Sequence, residues 1–162
     1  LEWLSSPLVY REDVAAMSSF RRLARDFYRP AACLHHYLHM AKGNFREYLQ
    51  GETVWLKKYF YVLRPVLACL WIERGLGVVP MAFDELVAGA SDDAGLRDCI
   101  ADLTERKKSA AELDSGARIP VIHAFLEREI ARLCDVVAGM PKQPLTAESL
   151  ERMERYFRDV LL

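Results

Sequence analysis

The stretch from Tyr59 to Ile72 constrains this chain most. It is apolar on nearly every side, and its only charge is Arg64. A helix that is hydrophobic all round has to be buried. The run also falls short of the roughly 20 residues that span a bilayer. It therefore predicts the central helix of a bundle, covered by neighbours on all sides, and no membrane partner. Pro65 lies inside it. A proline there removes one backbone donor and crowds the carbonyl of Tyr61, which predicts a kink.

Around this helix the apolar period is helical almost throughout. Phe20, Leu23, Ala24 and Phe27 repeat at three and four in a first helix over residues 11–28. Pro30 opens a second, because proline suits the first helical turn. Leu34, Leu38, Ala41, Phe45 and Leu49 form its stripe, and Gly51 ends it. The central helix is predicted over 53–74, stopping at Gly75 and Gly77. A short helix follows over 83–88. The next is capped by Asp92 or Asp93 and runs to about Leu113, with Leu96, Ile100 and Leu103 inward. Then comes a helix over 119–138, with Ile122, Phe125, Leu126, Ile130, Leu133 and Val137 on one side, closed by Gly139, Pro141 and Pro144. Thr146 caps the last helix, which Tyr156, Phe157, Val160 and Leu161 pack. No long period-two alternation and no Asn-Gly or Asp-Gly hairpin turn is present. The fold class is all-α: one domain over residues 1–162, a bundle of six or seven helices.

The four cysteines, Cys33, Cys69, Cys99 and Cys134, contain no C-x-x-C pair and sit in apolar helical settings. They read as reduced core thiols of a cytoplasmic protein. The opening Leu1-Glu2-Trp3-Leu4 reads like the middle of a protein, with no signal-peptide pattern after it. A segment ahead of it is expected.

The net charge is −1, from 22 Lys+Arg and 23 Asp+Glu, which excludes a generally basic nucleic-acid coat. The charge is unevenly spread. Residues 1–80 carry 11 Lys+Arg and 7 Asp+Glu, whereas residues 81–162 carry 11 and 16. The first half is thus +4 and the second −5, which suggests an anion-facing surface on the first three helices.

The cations have helical spacing. His35, His39, Lys42 and Arg46 are four, three and four apart and line one face of the second helix. Lys57, Tyr61 and Arg64 do the same on the third. Together they can hold a polyphosphate or RNA backbone, because Lys and Arg donate charge-assisted bonds to phosphate. The candidate nucleotide- and phosphate-binding residues are therefore His39, Lys42, Arg46, Lys57, Tyr61 and Arg64. For each, the alternative is a solvated helix flank. For Arg64 it is an internal ion pair with Glu2 or Glu47, since a guanidinium on so apolar a helix is costly to desolvate unless paired. His123 reads as a core or boundary histidine.

Other chemistries find less support. His35 and His39 are spaced to chelate one metal, but no H-E-x-x-H and no third ligand accompany them. Arg29 followed by His35 fits the loose R-x(4–6)-H pattern of HEPN ribonucleases. There is no G-x-S-x-G, no P-loop, no Rossmann fingerprint and no D-x-D. Glu112/Asp114 and Glu127/Glu129 are two apart on predicted helices and point roughly 200° from each other, so neither pair can share a metal.

Three stretches carry a family resemblance. They are Leu1-Glu2-Trp3-Leu4-Ser5-Ser6-Pro7-Leu8-Val9-Tyr10, His36-Tyr37-Leu38-His39-Met40-Ala41-Lys42-Gly43-Asn44, and Lys57-Lys58-Tyr59-Phe60-Tyr61-Val62-Leu63-Arg64-Pro65. Each resembles a family of predicted nucleotidyltransferases of the DNA polymerase β superfamily linked to RNA repair, over residues 1 to about 85. The resemblance implies a two-part enzyme. An α/β catalytic half would bear a Gly-Ser motif and a D-x-D pair holding Mg²⁺, which would orient the α-phosphate for in-line attack. The helical half would close one wall of the nucleotide cleft. On that basis this chain is the helical half: inactive alone, without a cofactor of its own, and binding nucleoside triphosphate or an RNA end beside the catalytic domain. The alternative is a helical interaction module. Trp3, Leu4, Leu8 and Val9 would then pack on a partner domain or a second copy.

Overall fold

A computed structural model describes residues 2–108, 115–141 and 146–161, the Leu161 side chain excepted. The predicted end of the fifth helix at Leu113, the Glu112/Asp114 pair, Pro144 and the packing of Leu161 lie outside what is described. Among the described residues, seven helices and one small two-stranded sheet follow in order: α1 (Val14–Asp26), α2 (Pro30–Tyr48), β1 (Thr53–Trp55), α3 (Tyr59–Glu73), α4 (Phe83–Ala90), α5 (Ala94–Lys108), β2 (Ser115–Ala117), α6 (Pro120–Ala138) and α7 (Ala147–Leu161). Two short 3-10 turns, Glu2–Ser5 and Leu56–Lys58, precede α1 and α3. Among the described residues no helix is long and apolar enough to cross a membrane.

The chain is an all-α bundle built around α3. Tyr59, Val62, Leu63, Val66, Leu67, Ala68, Cys69 and Ile72 of that helix are buried. α2, α4 and α6 pack directly on it. Leu34, Leu38 and Ala41 of α2 and Ile122, Phe125, Leu126 and Leu133 of α6 complete the layer, as their spacing predicts.

α3 runs unbroken through Pro65. The carbonyl that Pro65 leaves without a donor belongs to Tyr61. Asn44 of α2 covers it, its amide donating to Tyr61 O at 3.2 Å and to Met40 O at 2.9 Å. A side chain on the neighbouring helix thus replaces the missing backbone bond. Past Glu73 the chain turns through Gly75 and Gly77, at φ 68° and 85°. Glycine is the residue that adopts this left-handed helix end without strain.

Two departures from the sequence reading have local causes. Residues 53–55 are a strand, not the first turn of the central helix. They pair antiparallel with β2, Val54 opposite Gly116. Three residues are too few to show an alternation, and the partner lies some sixty positions away. The first helix begins at Val14, because Asp13 caps it by accepting from Ala16 N at 2.9 Å. The expected caps Asp93 and Thr146 are both in place, accepting from Leu96 N and Ser149 N.

Among the described residues α1 and α7 have none that is fully buried, and the two pack on each other at the outside. Phe20 stacks on Tyr156 at 5.7 Å, the Tyr156 hydroxyl donates to Ala16 O, and Arg152 meets Asp26 at 2.6 Å.

Two glycines separate packing from propensity. A Cβ on Gly89 of α4 would stand 2.3 Å from the Trp71 ring, whereas one on Gly43 of α2 would meet nothing within 4 Å. Gly89→Ala is expected to destabilise by about 1–3 kcal/mol through overpacking. Gly43→Ala is expected to stabilise by about 0.5–1 kcal/mol through helix propensity. Urea unfolding checks both, and equal effects of the two changes would refute the Trp71 contact.

Candidate nucleotide and RNA interface

Arg64 is the one charge within the apolar stretch Tyr59–Ile72 of α3, and it is matched inside the protein. Its guanidinium donates to Glu2 Oε2 at 2.6 Å, Pro80 O at 2.9 Å and Met81 O at 3.2 Å. The Tyr37 hydroxyl donates to the other oxygen of Glu2. Burial first, and the Glu2 carboxylate second, push the Tyr37 hydroxyl far above its ordinary range. Of the two readings of Arg64, the structure displays the internal pair with Glu2. Glu2, Tyr37 and Arg64 come one from each of the three family-like stretches. They edge a cavity of about 650 Å³ that Trp3, Cys33, His36, Met40 and Val79 also line. Burial pushes the Cys33 thiol upward.

The cations of α2 lie elsewhere. At 100° per residue, Tyr37, Asn44 and Tyr48 form the flank of α2 turned to the start and middle of α3. His35, His39, Lys42 and Arg46 form the other flank. His35 and Lys42 line a separate groove of about 360 Å³ against Cys134, Val137 and Met140 near the end of α6. His39, Lys42 and Arg46 are exposed. No described residue pairs with them. The six predicted residues are therefore not one site. His39, Lys42 and Arg46 stand together on the α6 side, and Arg64 opens on another cavity.

Lys57 and Tyr61 belong to a third place, where β1 runs into α3. Lys57 Nζ lies 5.2 Å from the Trp55 ring centroid. Lys58 Nζ lies 3.8 Å from the Tyr48 ring and 4.7 Å from the Tyr61 ring. The corner is held firmly. Ile119 N donates to the buried Tyr59 hydroxyl at 3.1 Å. Arg118 donates through Nε to Gly51 O at 2.6 Å and through its terminal nitrogen to Gln50 O.

Sequence reasoning passed over Asn44, Trp55, Tyr48 and Arg118. For Asn44 a signal existed, since Pro65 guarantees an orphan carbonyl. Nothing local names its donor.

The fold is an all-α bundle, and one flank of it carries a row of exposed cations without a partner among the described residues. The model of the RlaP family, the RNA repair pathway DNA polymerase beta family, matches residues 1–159, and the chain belongs to that family. The family likeness thus runs through the acidic helical half instead of stopping near residue 85. The chain is 43% identical over 150 residues to an uncharacterized protein, YcgL, of Bacillus subtilis (strain 168). That alignment covers 91% of this chain and 58% of the relative, so the chain spans little more than half of that protein's length. No solved structure matches.

Two expectations follow from the polar groups. Glu2→Gln and Arg64→Met should each lower the unfolding free energy by about 1.5–3 kcal/mol, the range for hydrogen bonds to charged groups. The double variant should lose clearly less than the sum. Strict additivity in urea titrations would show that the pair carries no coupling.

His123 is buried against Phe45, with ring centroids 5.2 Å apart, and its Nδ1 is among the buried atoms without a partner. Burial, aided by Arg118 and opposed by Glu127 and Glu52, holds the imidazole below its ordinary value. The unfolded chain therefore takes up a proton, near pH 6.5, that the folded chain resists. The associated stability is complete above that pH and is lost as pH falls toward the folded value. Between pH 7.5 and 5.5 the wild-type Tm should fall further than that of His123→Gln. Parallel curves would remove His123 as the cause.

Proposed function

We propose that this chain is the helical part of a nucleotidyltransferase-like RNA repair protein and forms one wall of its nucleoside triphosphate or RNA-end site. The observation that carries this reading is the α2 flank, where His39, Lys42 and Arg46 are exposed, in helical register and without a described partner. Two exposed cations and an imidazole so arranged suit a chain of phosphates, which Lys42 and Arg46 would meet with charge-assisted hydrogen bonds. Family membership supplies the class of chemistry. Arg64 has a different part in this reading. With its carboxylate already beside it, it positions the N-terminal turn.

Among the described residues no three His, Cys, Asp or Glu side chains converge as metal ligands. The sequence also holds no D-x-D, the carboxylate pair that would take the Mg²⁺ of nucleotidyl transfer. In this reading the metal-bearing carboxylates belong to a catalytic domain in the remaining length of the protein, and this chain alone has no transferase activity.

The test is titration calorimetry of ATP with Mg²⁺ into the full-length protein. Lys42→Ala and Arg46→Ala should each weaken binding about tenfold, which corresponds to one charge-assisted hydrogen bond of roughly 1.4 kcal/mol. Unchanged affinity in both variants would overturn the assignment of the flank.

A further inference from the structure

We propose that the aromatic and lysine cluster where β1 meets α3 is a stacking surface for unpaired bases of single-stranded RNA. The inference rests on the reading of the protein as an RNA repair nucleotidyltransferase, and it adds a substrate surface apart from the α2 flank.

The cluster is built by the local fold. β1 alternates, Val54 entering the core while Thr53 and Trp55 face out. The 3-10 turn then lifts Lys57 and Lys58 beside the last turn of α2, which contributes Tyr48. Tyr61 follows in the first turn of α3. Trp55 and Tyr61 are 50% and 52% exposed. One large exposed aromatic needs no explanation. Three aromatics interleaved with two ammonium groups inside a single corner do.

The electrostatics favour an anionic, flat ligand. The Lys57 and Lys58 ammonium groups lie over rings, within 5.2 Å of their centroids, and no described carboxylate pairs with either. The nearby acids have other partners. Glu47 accepts from the Tyr48 hydroxyl, and Glu52 lies 4.0 Å from Arg118. Arg118 itself is bound to two carbonyls. Hydrogen bonds to neutral groups leave the charges of Glu47 and Arg118 in place, so the corner, with Lys57, Lys58 and Arg118 against Glu47 and Glu52, is net positive by one, and the two ammonium groups are the cations without a described carboxylate.

Proteins that bind single strands combine such cations with rings on which bases stack. A duplex hides its base faces, so exposed rings offer it little. A base on Trp55 or Tyr61 would leave its phosphates within reach of Lys57 and Lys58.

The experiment uses the full-length protein and a fluorescein-labelled single-stranded oligoadenylate of about a dozen nucleotides, a length that covers the usual single-strand site sizes. Anisotropy reports affinity, and Trp fluorescence reports stacking. Trp55→Ala and Tyr61→Ala should each weaken binding roughly tenfold, and Trp55→Phe should restore most of the affinity. Lys57→Gln and Lys58→Gln should flatten the dependence of affinity on salt, by about 0.7 in log–log slope for each phosphate that is no longer neutralised. Trp55→Ala should leave ATP affinity unchanged, so failure here and failure of the α2 assignment give different results. Circular dichroism confirms folding, and the exposed Tyr61 provides a variant that leaves the sheet intact. Wild-type affinity in both alanine variants, or tighter binding of the matched duplex, would overturn the proposal.

Discussion

A helix without a polar face can only exist inside something, and α3 sets that requirement for the whole chain. Its two irregularities, Arg64 and Pro65, are adjacent, and neither is resolved within the helix. The orphan Tyr61 carbonyl is met by Asn44. The guanidinium is met by Glu2 and by two carbonyls of the loop before α4. Curing these two faults fixes the rotation of α2, the seat of the N-terminal turn and the path of the chain after α3. Buried polar groups are far costlier unpaired than paired. The same few hydrogen bonds therefore serve as stability and as instructions for assembly.

The bundle was legible in the sequence wherever the signal was local. The apolar girth of residues 59–72, the caps Asp93 and Thr146, and the stripes of α2 and α6 are all written within a few turns of chain. The two-stranded sheet was not, because β1 owes its conformation to distant Ser115–Ala117. The candidate site divided along the same line. The row His35, His39, Lys42 and Arg46 was readable from its spacing. Which neighbour it would face depends on how Leu34, Leu38 and Ala41 turn α2 against the core, and no local pattern states that. Trp55 and Tyr48 went unnoticed because an aromatic destined for the surface looks the same in a sequence as one destined for the core.

The three stretches that carry the family likeness are distant in sequence and adjacent in space. Glu2, Tyr37 and Arg64 join all three, and Asn44 ties the second to the third. They are the contacts that orient the N-terminal turn, α2 and α3 toward one another. The acidic second half shares the family match, and its α6 contributes both to the core and to the rim of the α2 groove.

Arg118 has a mechanical side. By donating to the carbonyls of Gln50 and Gly51 from just ahead of α6, it ties the segment that leaves α2 to the segment that joins β2 and α6. The cationic flank and the aromatic corner both lie on elements that these bonds and the α2–α3 packing join. The distance between them is then set by one guanidinium together with the packing of α2 on α3.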